Sequence, residues 1–88
     1  MTLSNDQKAA LYRWAGVLPT DTAATAVLDA CFDRACDWYE KAGCDLTDPA
    51  IITWLYDLAC WYNDNRGRSD AELPGYIVKS VHHFRNDT

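Results

Sequence analysis

Residues 48–66 read DPAIITWLYDLACWYNDNR, and this stretch decides the fold. Asp48 followed by Pro49 puts an N-cap residue ahead of a proline at the first helical position, where a missing N–H costs nothing and the fixed φ suits a helix. Beyond it, Ile51, Ile52, Trp54, Leu55, Tyr56, Leu58, Ala59, Cys60, Trp61 and Tyr62 cover most of a helical circumference, which predicts a helix from Pro49 to about Arg66. A helix apolar nearly all round has to be covered on more than one side. In a domain of 88 residues, part of that surface is expected to meet a neighbouring subunit.

Upstream, Ser4 with Gln7 three residues later is a capping-box pattern, and Gly16 is a left-handed stop, so a first helix is expected over about residues 5–15. Leu11, Trp14 and Ala15 fall on its inner face. Pro19-Thr20-Asp21 is turn and cap chemistry. From Ala23 to Ala42 the residues Val27, Leu28, Cys31, Phe32, Ala35, Trp38, Tyr39 and Ala42 recur at helical spacing until Gly43 ends the run. Downstream, residues 67–73 form a short polar loop, and Pro74 starts a last helix to about Phe84 with Ile77, Val81 and Phe84 on one face. No stretch alternates as a strand does. The fold class is all-α: a single small four-helix domain with short connections, one long amphipathic helix packed against a central apolar helix. Residues 1–3 and 86–88 are expected to fray.

Hydrophobic residues make up 49% of the chain and aromatics 12%, too much apolar surface for a disordered polymer. Eight Lys/Arg against 13 Asp/Glu leave a net charge of -5, with the cations scattered, so the clustered phosphate neutralisation that drives nucleic-acid binding is missing. No apolar run has the length of a signal peptide or a membrane span, and the chain is expected in the cytosol with no membrane partner. Cys31, Cys36, Cys44 and Cys60 show no C-x-x-C spacing and read as reduced, small hydrophobic residues. Zinc held by cysteine with His82 or His83 matches no common finger or ribbon spacing.

Asp29, Asp33 and Asp37 share one stripe of the second helix, with Glu40 beside it. Such like charges cost a helix a few tenths of a kcal/mol per pair, so the stripe is either a solvated outer face or a negative surface facing a partner or a pore. His82 and His83 project about 100 degrees apart, placing one ring against the core and one in water. Ser69, Ser80 and the cysteines lack a nucleophile elbow, and no glycine-rich phosphate loop occurs; no enzyme and no cofactor are expected. Trp54 and Trp61 lie seven apart on one face, as core packing or as interface anchors. Arg66, at the end of the central helix, is placed to cap free carbonyls or pair with a carboxylate.

One family has these pieces in this order: a short first helix, an acidic turn at Thr20-Asp21, a long helix closing on Trp38-Tyr39 and Gly43, a central apolar helix closing on Asp64-Asn65-Arg66, then Leu73-Pro74-Gly75 and Phe84-Arg85. Across nearly its whole length the chain resembles the small head-to-tail connector proteins (adaptor or head-completion proteins) of long-tailed bacteriophages. It departs in detail at two helix ends, where Asn63 separates Tyr62 from the acidic-Asn-Arg triplet and Lys41-Ala42-Gly43 replaces an aromatic-Thr-Gly element. The resemblance implies a structural virion protein that forms a ring, commonly of about twelve copies, beneath the portal protein. Such a ring offers a platform for the tail or a stopper protein, and DNA passes through it without sequence-specific binding. It would sit at the head-tail junction of the virion, after assembly in the host cytoplasm. Trp54, Trp61, Arg66, Tyr76, Phe84 and Arg85 are the expected oligomer or partner contacts, and Asp29, Asp33 and Asp37 an acidic lumen or partner face. Two other readings compete: a small cytosolic helical regulator or inhibitor of one protein partner, and a small metal-binding helical domain.

Overall fold

A computed structural model describes residues 2–68 and 70–85. Four α-helices follow one another: α1 (Asn5–Ala15), α2 (Thr22–Lys41), α3 (Ile52–Asp64) and α4 (Gly75–Phe84), with a single 3-10 turn at Pro49–Ile51 leading into α3. The expected capping box is present, Ser4 Oγ accepting from the Gln7 N–H at 3.1 Å and Gln7 Oε1 from the Ser4 N–H at 2.9 Å. Gly16 stops α1 with φ at 72°, and Gly43 follows α2 with φ at 89°, backbone positions that favour glycine. The Asp48 carboxylate accepts from the Ala50 N–H at 3.0 Å. That bond tightens the proline-led turn, so the third helix begins as 3-10 and becomes α only at Ile52. It ends at Asp64, two residues short of the expected Arg66.

The core is one cluster in which α2 supplies Leu28, Cys31, Phe32, Ala35, Cys36 and Tyr39, and α3 supplies Leu55, Tyr56, Leu58, Ala59 and Tyr62. Leu11 of α1 and Ile77 and Phe84 of α4 close it. Hydroxyls tie the helices together. Tyr12 donates to both Asp29 carboxylate oxygens, at 3.0 and 3.2 Å, and Tyr56 to the Gln7 carbonyl at 3.2 Å. Tyr39 and Ser80 pair at 2.7 Å between α2 and α4. The chain end returns to the α2–α3 loop, where the Asp45 N–H donates to the Phe84 carbonyl at 2.7 Å and Cys44 and Arg85 form one antiparallel bridge.

Three expectations need correcting. The apolar girth of α3 is largely covered within the subunit, since α1, α2 and α4 all pack on it and no large hydrophobic side chain of α3 is exposed. Trp14, expected on the inner face of α1, is 52% exposed and rests on the outer side of the Tyr56 ring, with centroids 5.9 Å apart. Leu3, expected to fray, packs against the core. Thr2 is exposed and outside any helix, and the other fraying expectations, at Met1 and residues 86–88, lie outside the described residues, as does Ser69.

Candidate functional site

On α2, Arg34, Trp38 and Lys41 recur at spacings of four and three and so share one flank, beside the buried stripe. On α3, Trp61 and Tyr62 reach the same region from the last turn. Asn65 then ends the helix twice over, its backbone N–H and its side-chain Nδ2 both donating to the Trp61 carbonyl, at 3.0 and 2.9 Å. Gly67, with φ at 79°, turns the chain back. Arg68 Nη1 donates to Asn65 Oδ1 at 3.3 Å, and Arg66 Nε to the Asn63 carbonyl at 3.1 Å.

Between α2, the end of α3 and the following loop lies an open cleft of about 560 Å³, lined by Arg34, Trp38, Trp61, Tyr62, Asn65, Arg66, Gly67, Arg68, Ala71 and Leu73. The Arg34 guanidinium carbon sits 4.2 Å from the Tyr62 ring centroid, a cation–π contact that fixes the arginine over the cleft wall. Burial pushes the Tyr62 hydroxyl up, and the nearby Arg34 charge opposes that shift. Three of the eight Lys/Arg in an acidic chain thus meet at one cleft. A second hollow of about 490 Å³ continues along α2 past Asp37, Lys41 and Ala42, sharing Arg34, Trp38 and Tyr62 with the first.

Charge pairing leaves this flank unbalanced. Lys41 is paired with Asp37 at 2.8 Å and Arg68 more loosely with Asp70 at 3.9 Å. Among the described residues no carboxylate lies within ion-pair distance of Arg34 or Arg66. The other flank of α2 has the opposite character. Asp29 and Asp33 border a small hollow of about 230 Å³ with Leu3, Lys8 and Phe32. The expected carboxylate stripe therefore divides by role: Asp29 is held by Tyr12, Asp37 by Lys41, and Asp33 stands exposed on the surface.

The six expected contact residues do not converge. Trp61 and Arg66 share the cleft. Trp54 instead lies against Tyr76 of α4, the rings tilted by 44° with centroids 6.4 Å apart, and Tyr76 remains 52% exposed. Phe84, expected at an interface, is buried in the core, because the face that α4 presents inward runs through Ile77, Ser80 and Phe84. Arg85 is exposed at the bridge to Cys44. His82 and His83 are both exposed, not one in and one out, since position 82 falls opposite that face and position 83 on its flank. Arg34, Trp38, Asn65 and Arg68 are the cleft residues the sequence reading passed over; the spacing of Arg34, Trp38 and Lys41 on one flank was the available signal.

Burial raises all four thiols, Cys36 and Cys60 to about 11. Such thiols are poor nucleophiles at neutral pH. Among the described residues no three His, Cys, Asp or Glu side chains group as metal donors, and no helix is long and apolar enough to cross a membrane. No protein-family model, curated protein or solved structure matches the chain.

Proposed function

We propose that the chain is a head-to-tail connector of a long-tailed bacteriophage, a structural ring subunit that docks beneath the portal protein and receives the tail or a stopper protein. One observation carries the reading: the ordered series Trp38-Tyr39…Gly43, Trp61-Tyr62, Asp64-Asn65-Arg66, Leu73-Pro74-Gly75 and Phe84-Arg85 within one short helical chain. Each of these pieces has a defined place in the fold. Asn65 caps the carbonyl of Trp61, Leu73 borders the cleft beside Trp61, the Pro74 carbonyl accepts the first N–H bonds of α4, and Phe84 anchors the chain end on the α2–α3 loop.

A closed ring repeats one heterologous interface, so each subunit needs two different surfaces. The chain offers chemically distinct ones: an aromatic and arginine-lined cleft on one flank of α2, a carboxylate-bearing flank on the other, and exposed Tyr76 and Val78 on α4. A net charge of -5 keeps a lumen from holding the DNA that crosses it. The working sites are the head-tail junction of the virion and, during assembly, the host cytoplasm.

Negative-stain microscopy and light scattering of the purified protein over a wide concentration range test the proposal. Closed rings are the expected result. A particle that stays monomeric or dimeric at every concentration overturns it and favours a regulator that binds a single protein partner.

A further inference from the structure

The two flanks of α2 carry opposite, unmatched charge. On one, Arg34 reaches over Tyr62 and Arg66 extends from the end of α3, both without a carboxylate partner among the described residues. On the other, Asp33 and Glu40 are exposed, seven residues apart and so on one face, and neither is ion-paired among the described residues. About 100 degrees of helix separate the two sets, at 100 degrees per residue. Among the described residues no ion pair joins the two sets within one subunit.

We infer that the cleft bordered by Arg34, Trp38, Trp61 and Arg66 receives the Asp33–Glu40 flank of α2 from a neighbouring copy of this chain. The inference rests on the ring reading and names the surface that each copy offers the next. Charge complementarity selects the occupant: an arginine cleft in an acidic protein repels cations and suits a carboxylate-bearing surface, and this chain carries one at the right place for a repeating contact. The half-buried Trp38 and Trp61 supply the apolar centre, with the arginines as a polar rim, the usual anatomy of a protein contact. Nucleic acid fits less well, because the neighbouring Lys41 and Arg68 are already paired with Asp37 and Asp70 and the net charge repels phosphate.

Charge exchange tests the inference. The cleft variant Arg34→Glu/Arg66→Glu and the flank variant Asp33→Lys/Glu40→Lys are each expected to lose self-association about tenfold or more in sedimentation velocity at low salt. Their equimolar mixture, and a chain carrying all four changes, are expected to regain it, because acidic cleft then meets basic flank. Far-UV circular dichroism verifies folding, and if the cleft variant unfolds, Arg34→Gln/Arg66→Gln takes its place with the same expected loss. Rings that persist in both reversed chains, or a folded four-change chain that does not reassociate, overturn the docking inference while leaving the ring reading intact. A parent protein that never exceeds a monomer overturns both.

Discussion

Ser80 has a single hydroxyl hydrogen, and the Ile77 carbonyl 2.6 Å away takes it. Tyr39, 2.7 Å from Ser80 Oγ, is therefore the donor in that pair. Ser80→Ala leaves a buried tyrosine O–H without an acceptor and is expected to cost about 1–3 kcal/mol in urea unfolding, whereas Tyr39→Phe leaves Ser80 satisfied and costs about 0.5–1.5. A larger loss for Tyr39→Phe would reverse the donor assignment. The thiols make a second residue-scale statement. Desolvation holds Cys36 at about 11, above its ordinary 9.0, so the folded state keeps a proton that the unfolded chain releases. The stabilisation is complete below about pH 9 and is lost as pH rises through 11, with the raised Tyr39, Tyr56 and Tyr62 hydroxyls adding to the fall at its upper end. Melting temperature is expected to hold between pH 7 and about 8.5 and to drop between about 9 and 11, with a shallower drop for Cys36→Ala. Burial of Leu28, Phe32, Leu55 and Leu58 was legible from helical spacing alone. Trp14 was not, because its surroundings are set by a long-range contact: Tyr56 crosses from α3 to the Gln7 carbonyl, and Trp14 packs against its ring while staying 52% exposed.

At the scale of elements, local signals did most of the work, and helix starts were clearer than helix ends. Ser4 with Gln7, Asp21, and Asp48 with Pro49 each place a cap whose bond is seen, because an N-cap needs only a side-chain oxygen next to free N–H groups. The end of α3 was harder to read, since Asn65 and Arg66, adjacent in sequence, both carry side-chain N–H donors that can reach its last carbonyls. Asn65 takes the Trp61 carbonyl through two N–H groups, and Arg66 caps the Asn63 carbonyl, as expected, through one exposed bond. Asn65→Ala is accordingly expected to lower stability by about 0.5–1.5 kcal/mol. Arg66→Ala is expected to change it by no more than about 0.5, with its effect falling on association instead. Thermal melts of the two variants decide this, and a larger loss for Arg66→Ala would make the arginine the stronger of the two caps. The cleft itself was only half legible. Trp61 and Arg66 are neighbours in the chain, but Arg34 and Trp38 join them through the packing of α2 on α3, which no local pattern encodes.

The whole molecule measures 43 × 32 × 16 Å, a slab little more than one helix pair thick. In so thin a body a central helix apolar all round is covered only if three others lie against it, and α1, α2 and α4 do so. Most of α3 is therefore covered within the subunit, and the part of its surface left half-open at its end, at Trp61, borders the cleft. A specific contact clears about 1,000 Å² in total, so the two interfaces of a ring subunit would take from each copy about 500 Å² apiece, roughly a sixth of its 5714 Å² accessible surface. Trp61 is the residue on which that contact is expected to depend. It is half-buried, edge-on to Tyr62 at 5.5 Å between centroids, with its open side in the cleft. Truncating a fully buried tryptophan costs about 3–5 kcal/mol, so Trp61→Ser should cost the monomer about half of that. A domain of this length has about 4–13 kcal/mol in hand, and the variant is expected to remain helical by far-UV circular dichroism while rings disappear from the micrographs. Loss of the helical signal where the parent is folded would assign Trp61 to the core. Another exposed apolar pair, Tyr76 and Val78 of α4, would then be the surface to test, with Tyr76→Ser and Val78→Ser expected to abolish rings in place of Trp61→Ser.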